Sequence, residues 1–249
     1  MDYTKINSLI TIDKWVEDGW VWGVPITHKK FLEAKTGKWD MLLTPTKNVP
    51  KEWFGNLENK NVLGLASGGG QQMPIFAALG AKCTLIDYSQ KQIDNDIFVS
   101  KRENYNINTI KYDMTKKFPF EDESFDLIFH PVSNCYVENV SHIWSECYRV
   151  LKKGGRLMSG LDNGINFLFD ENSKEIKYKL PFNPLKDKKL LDELLNKNDG
   201  IQFSHTIEEQ IRGQLKCGFK LIDIYEDTNG EGVLHEYNVP TFWATLCFK

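Results

Sequence analysis

The sequence lacks the cysteine spacing that marks a disulfide framework or a zinc site. Cys83, Cys135, Cys147, Cys217 and Cys247 are odd in number and scattered, with no CxxC pair. Free thiols in a reducing compartment account for them best, so a cytoplasmic location is expected. The five histidines show no metal-ligand spacing, and no acidic cluster suits a divalent cation, so no metal is expected. No apolar run approaches the length of a membrane span, and the opening MDYTKINSLITIDKW is too polar for a signal peptide. The net charge of −3 supplies no field for nucleic acid or an anionic membrane surface. The one dense lysine cluster, Lys186, Lys188 and Lys189, has acidic neighbours and reads as a solvated face. Repeats and low-complexity segments are absent too. What remains is a chain of 249 residues, long enough for one large domain or a core with an added lid.

What is present centres on Asn61 to Gln72, NVLGLASGGGQQ. Val62, Leu63 and Leu65 form an apolar run too short for a helix and stopped by glycine, which suits a buried parallel strand. Gly68, Gly69 and Gly70 allow a tight turn that brings backbone N–H groups against a ligand, and the helix opening near Met73 offers its own free N–H groups. A lone glycine turn is equally compatible with a loop that binds nothing, so the decision falls to the residues downstream.

Residues 1–56 do not alternate between strand and helix. They hold Trp15, Trp20, Trp22, Trp39 and Trp53, interrupted by Gly19, Gly23, Pro25, Gly37, Pro45 and Pro50. This reads as a helical and irregular cap with a short helix begun at Thr27. Its aromatics either line a pocket for an organic substrate or pack the cap onto the core, the second being the ordinary role of any one tryptophan. From residue 57 the pattern alternates. Ala81 to Ile86 is a second strand ending in Asp87, and Ser89 with Gln92 forms a capping box for the next helix. Asn108 to Tyr112 and Phe125 to Phe129 are the third and fourth strands. Asn139 to Leu151 is an amphipathic helix, with Lys152 and Lys153 in its last turn and Gly154-Gly155 as its stop. Arg156 to Ser159 is the fifth strand. At about 161–203 the pattern breaks into a hairpin about Asn172-Ser173 and a lysine-rich helix, Leu185 to Asn196, which reads as a lid insertion. Thr206 and Glu209 cap a helix whose face is Ile207, Ile211 and Leu215. Phe219 to Tyr225 and Phe242 to Phe248 close the chain as an antiparallel pair. The sum is an α/β fold, a mostly parallel sheet with helices on both faces, whose ligands sit at the carboxyl ends of the strands.

Four features fall at those ends. The first is the glycine turn. Asp87 suits a bidentate grip on the two hydroxyls of a ribose. Asp113 can accept from an exocyclic amine, and Met114 can pack on a purine. His130 opens HPVSN after the fourth strand, beside the reacting end of such a ligand. Each has a bland counterpart in a turn acid, a surface acid or a loop histidine, but four in order at strand ends make a nucleoside site the stronger reading.

With these motifs the chain resembles the class I S-adenosylmethionine-dependent methyltransferases of the small-molecule "type 11" group, relatives of the ubiquinone and menaquinone methyltransferases. The resemblance spans about Lys60 to Gly160 and extends to the last two strands. The usual glycine motif reads VLDLGCGTG; here VLGLASGGG has Gly64 for Asp, Ala66 for the first Gly and Ser67 for Cys, keeping Gly68 and Gly70. The resemblance implies a Rossmann-like seven-stranded sheet with an antiparallel last strand, and S-adenosyl-L-methionine as cofactor. It implies cofactor contacts from Ala66, Ser67, Gly68, Gly70 and Gln71 at the methionine part, and from Asp87 and Tyr88 about the ribose. Asp113 and Met114 would take the adenine, and His130 the methionyl end. It also implies a small-molecule acceptor recognised by the cap and the insertion. HPVSN departs from the Asn/Asp-Pro-Pro-aromatic motif of members that methylate nucleic-acid bases, so no nucleic-acid partner is expected.

A sulfonium methyl is already activated, so alignment and exclusion of water supply much of the rate, and a base is needed only where the acceptor must lose a proton first. His130 is the first candidate for that base, although a pure cofactor contact is its more ordinary role. Tyr136, His235 and Tyr237 follow. A nicotinamide-dependent oxidoreductase would share the glycine turn and Asp87, and a non-catalytic nucleoside-binding module would share the cofactor site without an acceptor pocket.

Overall fold

The computed structural model describes residues 2–169, 175–197 and 200–249. Strands β1 (Asn61–Leu65), β2 (Lys82–Asp87), β3 (Ile107–Lys111), β4 (Phe125–His130), β5 (Leu151–Asp162), β6 (Lys220–Asp227) and β7 (Phe242–Phe248) form one sheet. Their order is β3-β2-β1-β4-β5-β7-β6. The first five run parallel, and β7 runs antiparallel to both its neighbours, β5 and β6. The order reverses between β1 and β4, the place where doubly wound sheets open a crevice.

Period-two alternation splits the sheet residues between two cores. Val62, Leu85, Leu127, Phe129 and Met158 face one side, where Phe76 and Trp53 also pack. Leu63, Ile86, Ile128, Leu157 and Cys247 face the other, against Ile143, Trp144 and Cys147 of the helix Ser141–Val150. Apolar residues on both faces are what a sheet covered on both sides requires.

Several elements differ from their sequence expectation. The helix Ser141–Val150 stops before the lysines, and Lys152 to Gly155 belong to β5. Gly154 N–H donates to the Lys249 carbonyl and Lys249 N–H to the Gly155 carbonyl, so the glycine pair extends the sheet rather than ending a helix. Ser89 Oγ accepts the Gln92 N–H at 3.2 Å, but the Ser89 N–H donates to Asp87 Oδ1, leaving the reciprocal half of the capping box unmade. The box at Thr206 and Glu209 is complete. The helix after it is π-wound over Glu208–Arg212, and the extra residue per turn rotates its face. Ile207 and Leu215 are therefore exposed, while Gln210 and Gln214 are buried. An antiparallel bridge joins Phe169 to Ile176, and the helix Lys188–Lys197 follows; the Asn172-Ser173 turn lies outside the described residues.

The N-terminal segment is wound as Tyr3–Ile6, a π-turn Asn7–Ile12 and Asp13–Glu17, followed later by the helix His28–Lys35 capped by Thr27. Its tryptophans divide. Trp53 is core, its indole donating to Asp223 Oδ2 at 2.9 Å, and Trp39 packs edge-on against Phe54. Trp20 and Trp22 instead line a cavity. Asn7 spans to the far end of the chain: its Nδ2 donates to the Ile201 carbonyl and its Oδ1 accepts the Ile201 N–H, each at 2.7 Å. At Leu43 the segment reaches the sheet itself. The Val132 N–H donates to the Leu43 carbonyl at 3.2 Å, directly over Gly160 of β5, where a Cβ would overlap that carbonyl oxygen.

Candidate active site

A cavity of about 380 Å³ runs along the carboxyl ends of the strands, from Asp113 beyond β3 to Asp162 at the end of β5. The glycine turn forms its floor, by a different use of its N–H groups than the sequence suggests. Gly68 N–H donates to Asp87 Oδ2 at 3.0 Å, Gly69 N–H to the Gln92 carbonyl at 3.0 Å and Gly70 N–H to Asp96 Oδ2 at 2.9 Å. All three therefore hold the protein's own groups rather than facing a ligand. Close approach still demands glycine, because a Cβ on Gly68 would lie 2.8 Å from Asp87 Oδ2 and 2.6 Å from the Gln92 Cβ. Ala66, where the family motif has glycine, sits at φ +49°, a left-handed conformation that costs a residue with a Cβ about 1–2 kcal/mol.

Asp87 is fixed from behind. Its two oxygens accept from Gly68 and Ser89 N–H groups, and the carboxylate lines the cavity. Burial pushes its carboxyl up to about 6, against the opposing pull of those N–H groups. Asp113 Oδ1 is held by the N–H and hydroxyl of Thr115 at 2.9 and 2.7 Å, while Thr4 Oγ lies 3.1 Å from Oδ2, so the N-terminal segment touches this end of the cavity. Ile86, Tyr88, Tyr112 and Met114 supply walls around the two acids, and Ala66, Ser67 and Gln71 line the turn.

Two residues expected at the wall are elsewhere. Gly70 lies behind the turn, its carbonyl accepting from Ile26 N–H. His130 is fully buried on the Ile128 face of β4, its ring against Trp144, with Nδ1 donating to the Leu65 carbonyl at 2.9 Å and Nε2 paired with the Asn134 amide at 2.8 Å. Burial holds its pKa below the usual range, and Pro131, Val132 and Ser133 form the wall in its place. Of the second-rank bases, Tyr136 lines the cavity, its hydroxyl pushed well up by burial. His235 pairs with Thr228 at 2.6 Å and Tyr237 is exposed, both away from the cavity.

The sequence reading missed Asp162, Asn166, Phe167 and Phe242, which close the β5 end, together with Asn7, Ser8 and Gln202. Asp162 had a findable signal, since an acid ends β5 just as Asp87 ends β2. The fifth strand was expected to stop at Ser159, which hid it.

The residues present fit a nucleoside sulfonium. Asp87 offers a carboxylate to a vicinal diol, and three aspartates with no lysine, arginine or histidine among the described lining residues favour a positive charge. A dinucleotide pyrophosphate would meet the same acids with the turn's N–H groups already used. The methyltransferase domain model Methyltransf_11 matches residues 63–159. A Bacillus subtilis protein, uncharacterized methyltransferase YbaJ, is 42% identical over 244 residues, 95% of each chain. The chain belongs to the class I S-adenosylmethionine-dependent methyltransferases. S-adenosylmethionine is accordingly the cofactor of this methyltransferase. Its fold matches that of an S-adenosylmethionine-dependent methyltransferase from Mesorhizobium loti, with TM-score 0.63 at 16% identity over 80% of this chain and 95% of that one. It also matches the magnesium protoporphyrin IX methyltransferase of Synechocystis, solved with S-adenosylhomocysteine, with TM-score 0.53 at 13% identity over 79% and 76%.

Behind the turn of this methyltransferase, Asp96 is buried with Oδ1 lacking any partner, and burial pushes its carboxyl up to about 8. The folded state therefore holds a proton that the unfolded chain has lost, and stability falls as pH rises from about 4 to about 8. Asp96→Asn keeps an acceptor for Gly70 N–H and removes that proton. The variant is expected to lose this decline and to exceed the wild type in urea midpoint at pH 9. Parallel pH curves for the two proteins would contradict the assignment.

Proposed function

We propose that this methyltransferase transfers the methyl group of S-adenosylmethionine to a small organic acceptor bound in the same cavity. The observation that carries the reading is the continuity of that cavity, from Asp113 and Asp87 past the glycine turn, which Trp22 adjoins, to Phe167 and Phe242 at the β5 end. In this reading Asp87 grips the ribose with Tyr88 beside it, and Asp113 and Met114 take the adenine. Ala66, Ser67, Gly68 and Gln71 shape the methionine end. S-adenosylmethionine supplies a methyl already activated on sulfur. The protein's work is then to hold the acceptor in line and exclude water, and apolar walls from Leu42, Leu43, Pro131 and Val132 suit that task. Residues 1–56 act as a cap and about 161–203 as a lid on a core of 57–249, a division supported by the Asn7–Ile201 link across the cavity's rim. Five free cysteines suit a cytoplasmic enzyme.

Thermal denaturation with S-adenosylhomocysteine and, separately, NADH tests the cofactor half. The first is expected to raise the melting temperature by several degrees at concentrations well above its Kd, and the second to leave it unchanged. Stabilisation by NADH alone would reject methyl transfer.

A further inference from the structure

The β5 end of the cavity has one charged group. Asp162, 8% exposed, lines it as the last residue of β5. Its Oδ1 accepts the Gly164 N–H at 2.6 Å and its Oδ2 the Asn166 Nδ2–H at 2.9 Å. Both donors are neutral amides, which orient a carboxylate without cancelling its charge. A buried carboxylate is ordinarily paired with a cation, because the lost hydration costs several kcal/mol. No lysine, arginine or histidine is among the described residues lining the cavity. The neighbouring wall is instead Phe242, paired with Asp162 in the β5–β7 register, and Phe167, next to the Asn166 that bonds it. Aromatic faces attract cations.

The sheet order separates this group from the cofactor acids. Asp113 and Asp87 follow β3 and β2 on one side of the glycine turn after β1, whereas Asp162 ends β5 on the other. At about 4.8 Å per strand, β5 lies roughly 10 Å from β1, a distance that a small acceptor can bridge. Resting on the methyl-transfer reading, we infer that the acceptor is a small amine whose positively charged nitrogen is bound by Asp162 among these aromatic rings. An anionic acceptor would place its charge in a cavity that already holds three carboxylates and no described cation. A neutral acceptor would leave Asp162 buried without a counter-charge. The amine satisfies both the charge and the ring faces.

The test uses three probes of one shape against the full-length protein saturated with S-adenosylhomocysteine: phenethylamine, 2-phenylethanol and 3-phenylpropionate. Competition-calibrated ligand-observed NMR is expected to show phenethylamine binding at least about 10-fold tighter than the other two. Asp162→Asn is expected to abolish that preference while S-adenosylhomocysteine binds it as well as the wild type. The charge preference is read on the wild-type protein, so it stands or falls even where the variant does not fold. Equal or tighter binding of 3-phenylpropionate, no binding of any probe, or a preference that survives Asp162→Asn overturns the inference. So does a loss of S-adenosylhomocysteine affinity in that variant, which would assign Asp162 to the cofactor. Failure of the wild-type protein to bind S-adenosylhomocysteine instead rejects the methyl-transfer reading beneath it.

Discussion

Asp87→Ala is expected to weaken S-adenosylhomocysteine binding by about 100- to 10,000-fold. The carboxylate lines the cavity, and two charge-assisted hydrogen bonds to a vicinal diol, at about 1.5–3 kcal/mol each, correspond to that loss. The substitution also strips the acceptor from Gly68 and Ser89 N–H groups, so the turn loosens as the contact disappears. Calorimetric titration measures the affinity, and circular dichroism checks that the variant is folded. The wild-type protein supplies an independent reading through pH. Because burial lifts the Asp87 carboxyl to about 6, lowering the pH through that value protonates it and removes an acceptor. Affinity is therefore expected to fall below pH 6 in the wild type and to be flatter in the variant. A variant within threefold of wild type would remove Asp87 from the cofactor site.

Gly160→Ala is expected to destabilise the fold by about 2–4 kcal/mol, a melting temperature lower by roughly 5–10 °C for a chain of this size. The added methyl would overlap the Leu43 carbonyl oxygen and lie 3.0 Å from Val132 N. Both obstacles are backbone, so no rotamer change relieves them. The Leu43–Val132 hydrogen bond joins the N-terminal segment to the loop after β4, and both residues wall the cavity. The variant should thus lose ligand affinity together with stability. Urea unfolding indistinguishable from wild type would mean that this junction yields freely and does not fix the cavity wall.

The legible parts of the molecule were those with short-range causes. β7 ran over the residues that its apolar pattern marked, and β2 and β4 shifted by one residue at an end, because local alternation and flanking turn residues set them. Asp87 and Asp113 were findable because each follows such a strand. The illegible parts depended on partners distant in sequence. Whether His130 faced the cavity or the core turned on the parity of β4 against Trp144, which the letters HPVSN do not carry. The glycine N–H groups found Asp96 and Gln92 on a helix 20 and more residues later. The π-turn at Glu208–Arg212 kept Ile211 against the core but exposed Ile207 and Leu215 and buried Gln210 and Gln214, whose amides reach Asn134 and the end of β7. Trp20 and Trp53 look alike in sequence, and only tertiary packing sends one to the cavity and the other to the core.

The link between Asn7 and Ile201 closes the chain on itself. A side-chain amide here imitates one rung of a strand pair, joining positions 194 residues apart with two hydrogen bonds. Two such bonds contribute about 1–3 kcal/mol net. Alone they would leave the rung open between about one part in six and about one part in 160 of the time. They do not act alone, because Asn7 and Ile201 are buried and Tyr3 packs edge-on against Phe203 beside them, which lowers that fraction further.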